Sequence, residues 1–167
     1  MRKQKEKAIQ YNIKKIVEQE VLADVEFSQI RKVISILMYI WIASRVILCG
    51  IEIMVLLELA NETKEAFEGI GATVMVVIFA MALKNGNRRI AILPIVGGIF
   101  SFIILPIGSI VLLLNHEILY IKIYAWSFVF GMAYQIICMS YILFSTKSKA
   151  YDKKMTNIKV QAKGLSL

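Results

Sequence analysis

Within the first long apolar run of the chain stand two charged residues, Arg45 and Glu52, with Cys49 between them. The spacing i, i+4, i+7 puts all three on one face of a helix, and Met38 and Trp41 continue that face. A charged side chain at the middle of a bilayer costs about 2.5–3.5 kcal/mol on insertion scales, so this face should turn toward protein. Arg45 and Glu52 are about 10.5 Å apart along a helix axis. Direct pairing would stretch both side chains, so the expected partner is another helix or water. The last apolar run offers a complement. Tyr120, Tyr124, Ser127, Gly131, Tyr134, Cys138 and Tyr141 form one stripe, with Gln135 beside it. Counted from the basic ends of their runs, Arg45 lies about 18 Å deep and Gln135 about 14 Å deep. The candidate intramembrane polar site is therefore Arg45, Glu52, Tyr134 and Gln135, with Glu68 within reach of Glu52 or Lys122. Such a cluster can serve as a solute pathway, as a contact with another membrane protein, or as a network fixing helix register.

A second set concerns backbone approach. Pro94, Gly97, Ser101 and Gly108 share one side of the third apolar run, Gly98 adjoins them, and Pro106 is the second proline of that run. Small residues at this spacing let two helices pack closely, with Gly69, Ala72 and Thr73 as the expected opposing surface. Each proline removes an intrahelical hydrogen bond and favours a kink.

Catalytic groups are sparse. The aspartates, Asp24 and Asp152, lie outside the apolar runs, so a facing pair of intramembrane aspartates is excluded. Cys49 and Cys138 sit inside apolar runs and behave as small apolar residues. There is no Cys-x-x-Cys, no His-Glu-x-x-His and no glycine-rich phosphate cradle. His116 stands alone beside Glu117. These absences lead to the expectation of a protein that is not an enzyme and uses no cofactor or metal. The charged first run, the length and the long basic ends also distinguish the chain from a small multidrug transporter.

The elements that must position these residues follow from hydropathy. Of 167 residues 58% are apolar, while 20 Lys/Arg and 12 Asp/Glu fall in short blocks between four long runs. A bilayer core needs about 20 apolar residues as helix. The runs at 33–58, 66–83, 90–114 and 119–144 approach or exceed that length, and their connections are short. The expected fold is an all-α integral membrane protein, an antiparallel bundle of four transmembrane helices. No internal repeat relates its halves.

Residues 1–32 read as an amphipathic helix, cytoplasmic or interfacial, with Ile9, Ile13, Ile16 and Ile30 near one stripe. It is basic up to Lys15 and acidic from Glu18 to Glu26. Residues 145–167 form a basic cytoplasmic tail with Tyr151, Met155 and Ile158 at helical spacing. Seventeen Lys/Arg lie in the two end segments and the 84–89 connection, against Lys64 and Lys122 on the other side. By the positive-inside rule both ends are expected in the cytoplasm of a cell-membrane protein. The first run reads as a retained span rather than a cleaved signal, and the sequon Asn61-Glu62-Thr63 as chance. The +8 charge is accounted for by topology, so no nucleic-acid partner is expected. The expected partners are the bilayer, anionic lipid at the basic termini, and a membrane protein or further copies of this chain. The expected role is an accessory or regulatory subunit of a larger membrane system, such as a transporter, sensor or immunity-type protein. The alternative is a homo-oligomeric channel or small-solute transporter using the polar cluster.

Overall fold

The computed structural model describes residues 2–59, 63–104 and 119–165, and among them the secondary structure is entirely helical. Six α-helices follow one another: α1 (Arg2–Ala23), α2 (Val25–Leu59), α3 (Thr63–Lys84), α4 (Ile92–Ile104), α5 (Leu119–Phe144) and α6 (Thr146–Gly164). A 3-10 turn, Arg88–Ala91, leads into α4.

The leader is not one continuous helix over residues 1–32. It breaks at Asp24, whose Oδ1 accepts the backbone N–H of Phe27 at 2.9 Å and so caps the start of α2. From there α2 runs 35 residues, about 52 Å, well beyond a hydrocarbon core of about 30 Å. Its first two turns, with Arg31 and Lys32, therefore belong to the polar end of the molecule.

Two stretches are long and apolar enough to cross a membrane, Val25–Met54 and Ile121–Phe144. The apolar part of α3, Ile70–Lys84, is shorter, and the third run is described only as the 3-10 turn and α4. Only 28% and 17% of the two most apolar windows are buried, where a core helix of a soluble domain would be mostly covered. Large apolar side chains such as Tyr39, Ile47, Met54, Phe130 and Ile137 stand exposed along α2 and α5.

α2 packs against α3 and α5, and α4 packs against α5. In its described part α4 thus meets α5, not the expected Ala72–Thr73 surface of α3. The best-buried residues gather at one end, where α1, the start of α2, the end of α3 and α6 converge. Ile16, Val17, Phe27, Ile34, Leu83, Met139, Ile142, Tyr151, Met155 and Ile158 all belong to this core. The apolar stripe of α1 is covered here by α6, so it packs on protein rather than facing a leaflet. Gly86 turns the chain between α3 and the 3-10 turn at φ +75°, and a Cβ there would overlap Met155 of α6.

Three side chains hold this end together. The C-terminal carbonyls of a helix lack intrahelical donors. Here the Tyr151 hydroxyl donates to the carbonyl of Lys84, the last residue of α3, at 2.6 Å. Arg88 donates to the carbonyl of Leu143 at the end of α5 at 2.7 Å, and its Nε lies 3.4 Å from Asp152 of α6. Lys154 of α6 sits 2.6 Å from Glu20 and 2.7 Å from Asp24. The N-terminal helix, the C-terminal helix and the basic turn after α3 therefore share one end of the molecule.

Candidate functional site

Arg45 and Glu52 find each other on α2. Their Nη2 and Oε2 atoms are 3.4 Å apart, with side chains 16% and 24% exposed. The expectation of a partner on another helix is therefore corrected: two extended side chains cover the two-turn separation. The pairing leaves opposite charges beside each other, which reduces the field either would project alone. Tyr124 of α5 lies within electrostatic reach of both.

Tyr134 and Gln135 do not join that pair. The Tyr134 hydroxyl donates to the backbone carbonyl of Leu37 at 3.0 Å. Gln135 joins three helices: its Oε1 accepts the indole N–H of Trp41 on α2 at 3.1 Å, and its Nε2 donates to the Pro94 carbonyl on α4 at 2.7 Å. The four residues expected as one polar site are thus separated: Arg45 and Glu52 pair within α2, Gln135 ties α5 to α2 and α4, and Tyr134 bonds the α2 backbone on its own. Among the described residues no buried side-chain nitrogen or oxygen lacks a hydrogen-bond partner.

Pro94 falls in the first turn of α4, where backbone N–H groups have no intrahelical acceptor, so it sets the start of the helix and needs no kink. Gly97 is exposed, a Cβ there would meet nothing within 4 Å, and Ser101 bonds back to its carbonyl at 2.9 Å. The glycine that permits close approach is Gly98. A Cβ there would lie 3.1 Å from Ile136 and 3.4 Å from Nε2 of Gln135. Pro106, Gly108, His116, the 61–62 part of the sequon and the side chain of Glu68 lie outside the described residues.

On the outer side of α2 and α5 runs an open groove of about 490 Å³. Ile40, Ser44 and Ile47 line one wall, and Trp126, Ser127, Phe130, Gly131 and Tyr134 line the other. A Cβ at Gly131 would meet nothing within 4 Å. The small residues Ser44, Ser127 and Gly131 leave room beside the exposed aromatic rings of Trp126 and Phe130, which stack 5.5 Å apart.

At the opposite, polar end the charges are sorted. Lys154 takes up Glu20 and Asp24, and its ammonium also lies 4.9 Å from the centre of the Phe27 ring, which stacks on Tyr151. The hydrogen bond from Lys154 holds the Asp24 carboxyl below its ordinary pKa, and Asp24 and Glu20 in turn raise that of Lys154. Burial pushes Tyr151 up, which keeps its hydroxyl a proton donor to the Lys84 carbonyl. Among the described residues no group of three His, Cys, Asp or Glu side chains is placed to hold a metal ion. Cys49 and Cys138 are free and buried.

Sequence reasoning placed Trp41 on the charged face without giving its N–H a partner, and it did not foresee the contacts of Arg88, Tyr151 and Lys154. The stripe Tyr151, Met155, Ile158 signalled a buried face on α6, and Asp24-x-x-Phe27 carried the helix cap. No protein-family model matches the chain, and no curated protein or solved structure shows significant similarity to it.

Proposed function

We propose that this chain is a four-span protein of the cell membrane, with both ends cytoplasmic, that acts by binding another membrane protein as an accessory or regulatory subunit. The observation that carries the reading is the groove between α2 and α5. Its small residues and flanking aromatic rings suit the close approach of a transmembrane helix, where packing rather than hydrophobic transfer drives association. The low burial of the two most apolar helices favours a lipid environment around them. The convergence of α1, α6 and the basic turn at one end agrees with a cytoplasmic position for all three.

The intramembrane polar groups favour binding over conduction. Arg45 is paired with Glu52, and both polar atoms of the Gln135 amide are engaged, by Trp41 and by the Pro94 carbonyl. A solute pathway would need polar groups free to exchange partners.

The test is purification of the tagged full-length protein from its own membranes in mild detergent, with mass spectrometry and native mass. The expected result is a stoichiometric partner of different sequence that is lost in Gly131→Leu. That substitution puts a side chain into the groove at a position where a Cβ meets no atom within 4 Å. A homo-oligomer alone, unaffected by Gly131→Leu, would overturn the reading in favour of a channel or small transporter.

A further inference from the structure

Near the polar end Lys14 and Lys154 engage Glu18, Glu20 and Asp24, Arg88 engages Asp152, and a cationic cleft lined by no carboxylate lies beside them. Glu18 faces Lys14, while Glu20 and Asp24 face Lys154. Arg31, Lys32 and Lys84 pair with no carboxylate among the described residues. Lys84 donates to the Tyr39 hydroxyl at 3.2 Å, and Arg31 lies within electrostatic reach of Tyr151. These cations converge on an open cavity of about 360 Å³ between the start of α2 and the end of α3. Ser28, Lys32, Ser35 and Tyr39 line it from one stripe of α2, at spacings i, i+4, i+7 and i+11, and Arg31 and Lys84 border it. No carboxylate lines it.

We propose that this cleft binds the phosphate of an anionic phospholipid. Three cations with hydroxyl donors between them are the donor set a phosphate ester requires. The location selects lipid as the source. Lys32 immediately precedes the apolar run of α2 and Lys84 immediately follows that of α3, so both stand at headgroup depth on the membrane reading. Just beyond the cleft, exposed Ile36 and Ile40 extend an apolar surface along α2 for an acyl chain. The site differs from diffuse attraction at the basic tail, because its cations and hydroxyls line one open cavity rather than a run of exposed lysines. The inference rests on the membrane reading above.

The test is native mass spectrometry of the full-length protein released from nanodiscs of mixed phosphatidylglycerol and phosphatidylcholine. Wild type should retain phosphatidylglycerol in preference to phosphatidylcholine. Lys32→Gln with Lys84→Gln should reduce that preference by about tenfold, and Lys32→Arg with Lys84→Arg should keep it. Lys147→Gln with Lys149→Gln removes equal charge from the exposed start of α6 and should leave the preference unchanged. Equal loss in the tail variant, or no preference in wild type, would overturn the proposal. So would displacement of the lipid by millimolar inorganic phosphate, which would make the ligand a free anion. Alkaline extraction of the same preparations separates the two readings. A chain that resists extraction but shows no lipid preference sinks the lipid site alone, whereas release from the membrane sinks both.

Discussion

The ammonium of Lys154 lies 2.7 Å from the carboxylate of Asp24, a residue 130 positions earlier that also caps α2. One contact thus ties the last described helix to the junction of the first two. It makes the polar end of the molecule a packed unit rather than two separate basic tails.

That contact should depend on pH from both sides. Asp24 has a lowered pKa when folded, so its contribution is complete above the unfolded carboxylate value of about 3.9 and disappears as pH falls through the lower folded value. Lys154 has a raised pKa, so its contribution is complete below about 10.4 and disappears as pH rises through the higher folded value. Amide exchange in α1, taken relative to its intrinsic rate at each pH, should therefore be slowest between these limits. It should quicken in Lys154→Met at every pH in that window, and the difference should shrink in high salt, since the groups remain partly exposed.

Removing one member of the α2 ion pair should do more harm than removing both. Arg45→Ala leaves Glu52 without its counter-ion in an apolar segment, where on the membrane reading an unpaired charge is costly. Membrane accumulation of the single variant should fall, and Arg45→Ala with Glu52→Ala should recover it. A double variant worse than either single one would show that the pair does more than cancel charge.

Gln135→Leu strips partners from the Trp41 indole and the Pro94 carbonyl together. Leaving such groups unsatisfied costs about 1–3 kcal/mol, seen as a lower melting temperature in detergent. A cycle with Trp41→Phe should give a coupling near the average of about 0.6 kcal/mol found for hydrogen bonds between membrane helices. Zero coupling would mean that the indole contributes only its packing.

Adjacent glycines in α4 should respond differently. Gly98→Leu drives a side chain into Ile136 and the Gln135 amide, an overpacking of about 1–3 kcal/mol that separates α4 from α5. Gly97→Leu projects into open space and should leave the melting temperature nearly unchanged. The comparison reads out which face of α4 meets α5.

Much of the helix layout was legible from apolar runs alone. The helix over 119–144 has the bounds that its run of apolar residues implies, and α2 and α3 differ from their runs mainly by polar turns at the ends. Helical periodicity also marked Tyr151, Met155 and Ile158 as one face, because burial on a helix repeats every three to four residues. The charged face of α2 was legible for the same reason.

Partner choice was not. Gln135 and Arg45 have compatible chemistry and similar depth, yet Gln135 bonds Trp41 and Pro94 while Arg45 reaches Glu52. Likewise Gly97 and Gly98 are equivalent in composition, and only the placement of α5 against α4 makes Gly98 the close contact. Sequence by itself determined where the chain is helical and which faces are polar, since both follow from local periodicity. Only the tertiary structure decided which faces meet and that α1 and α6 share a core, because those depend on helix order and rotation, to which periodicity along one chain is blind.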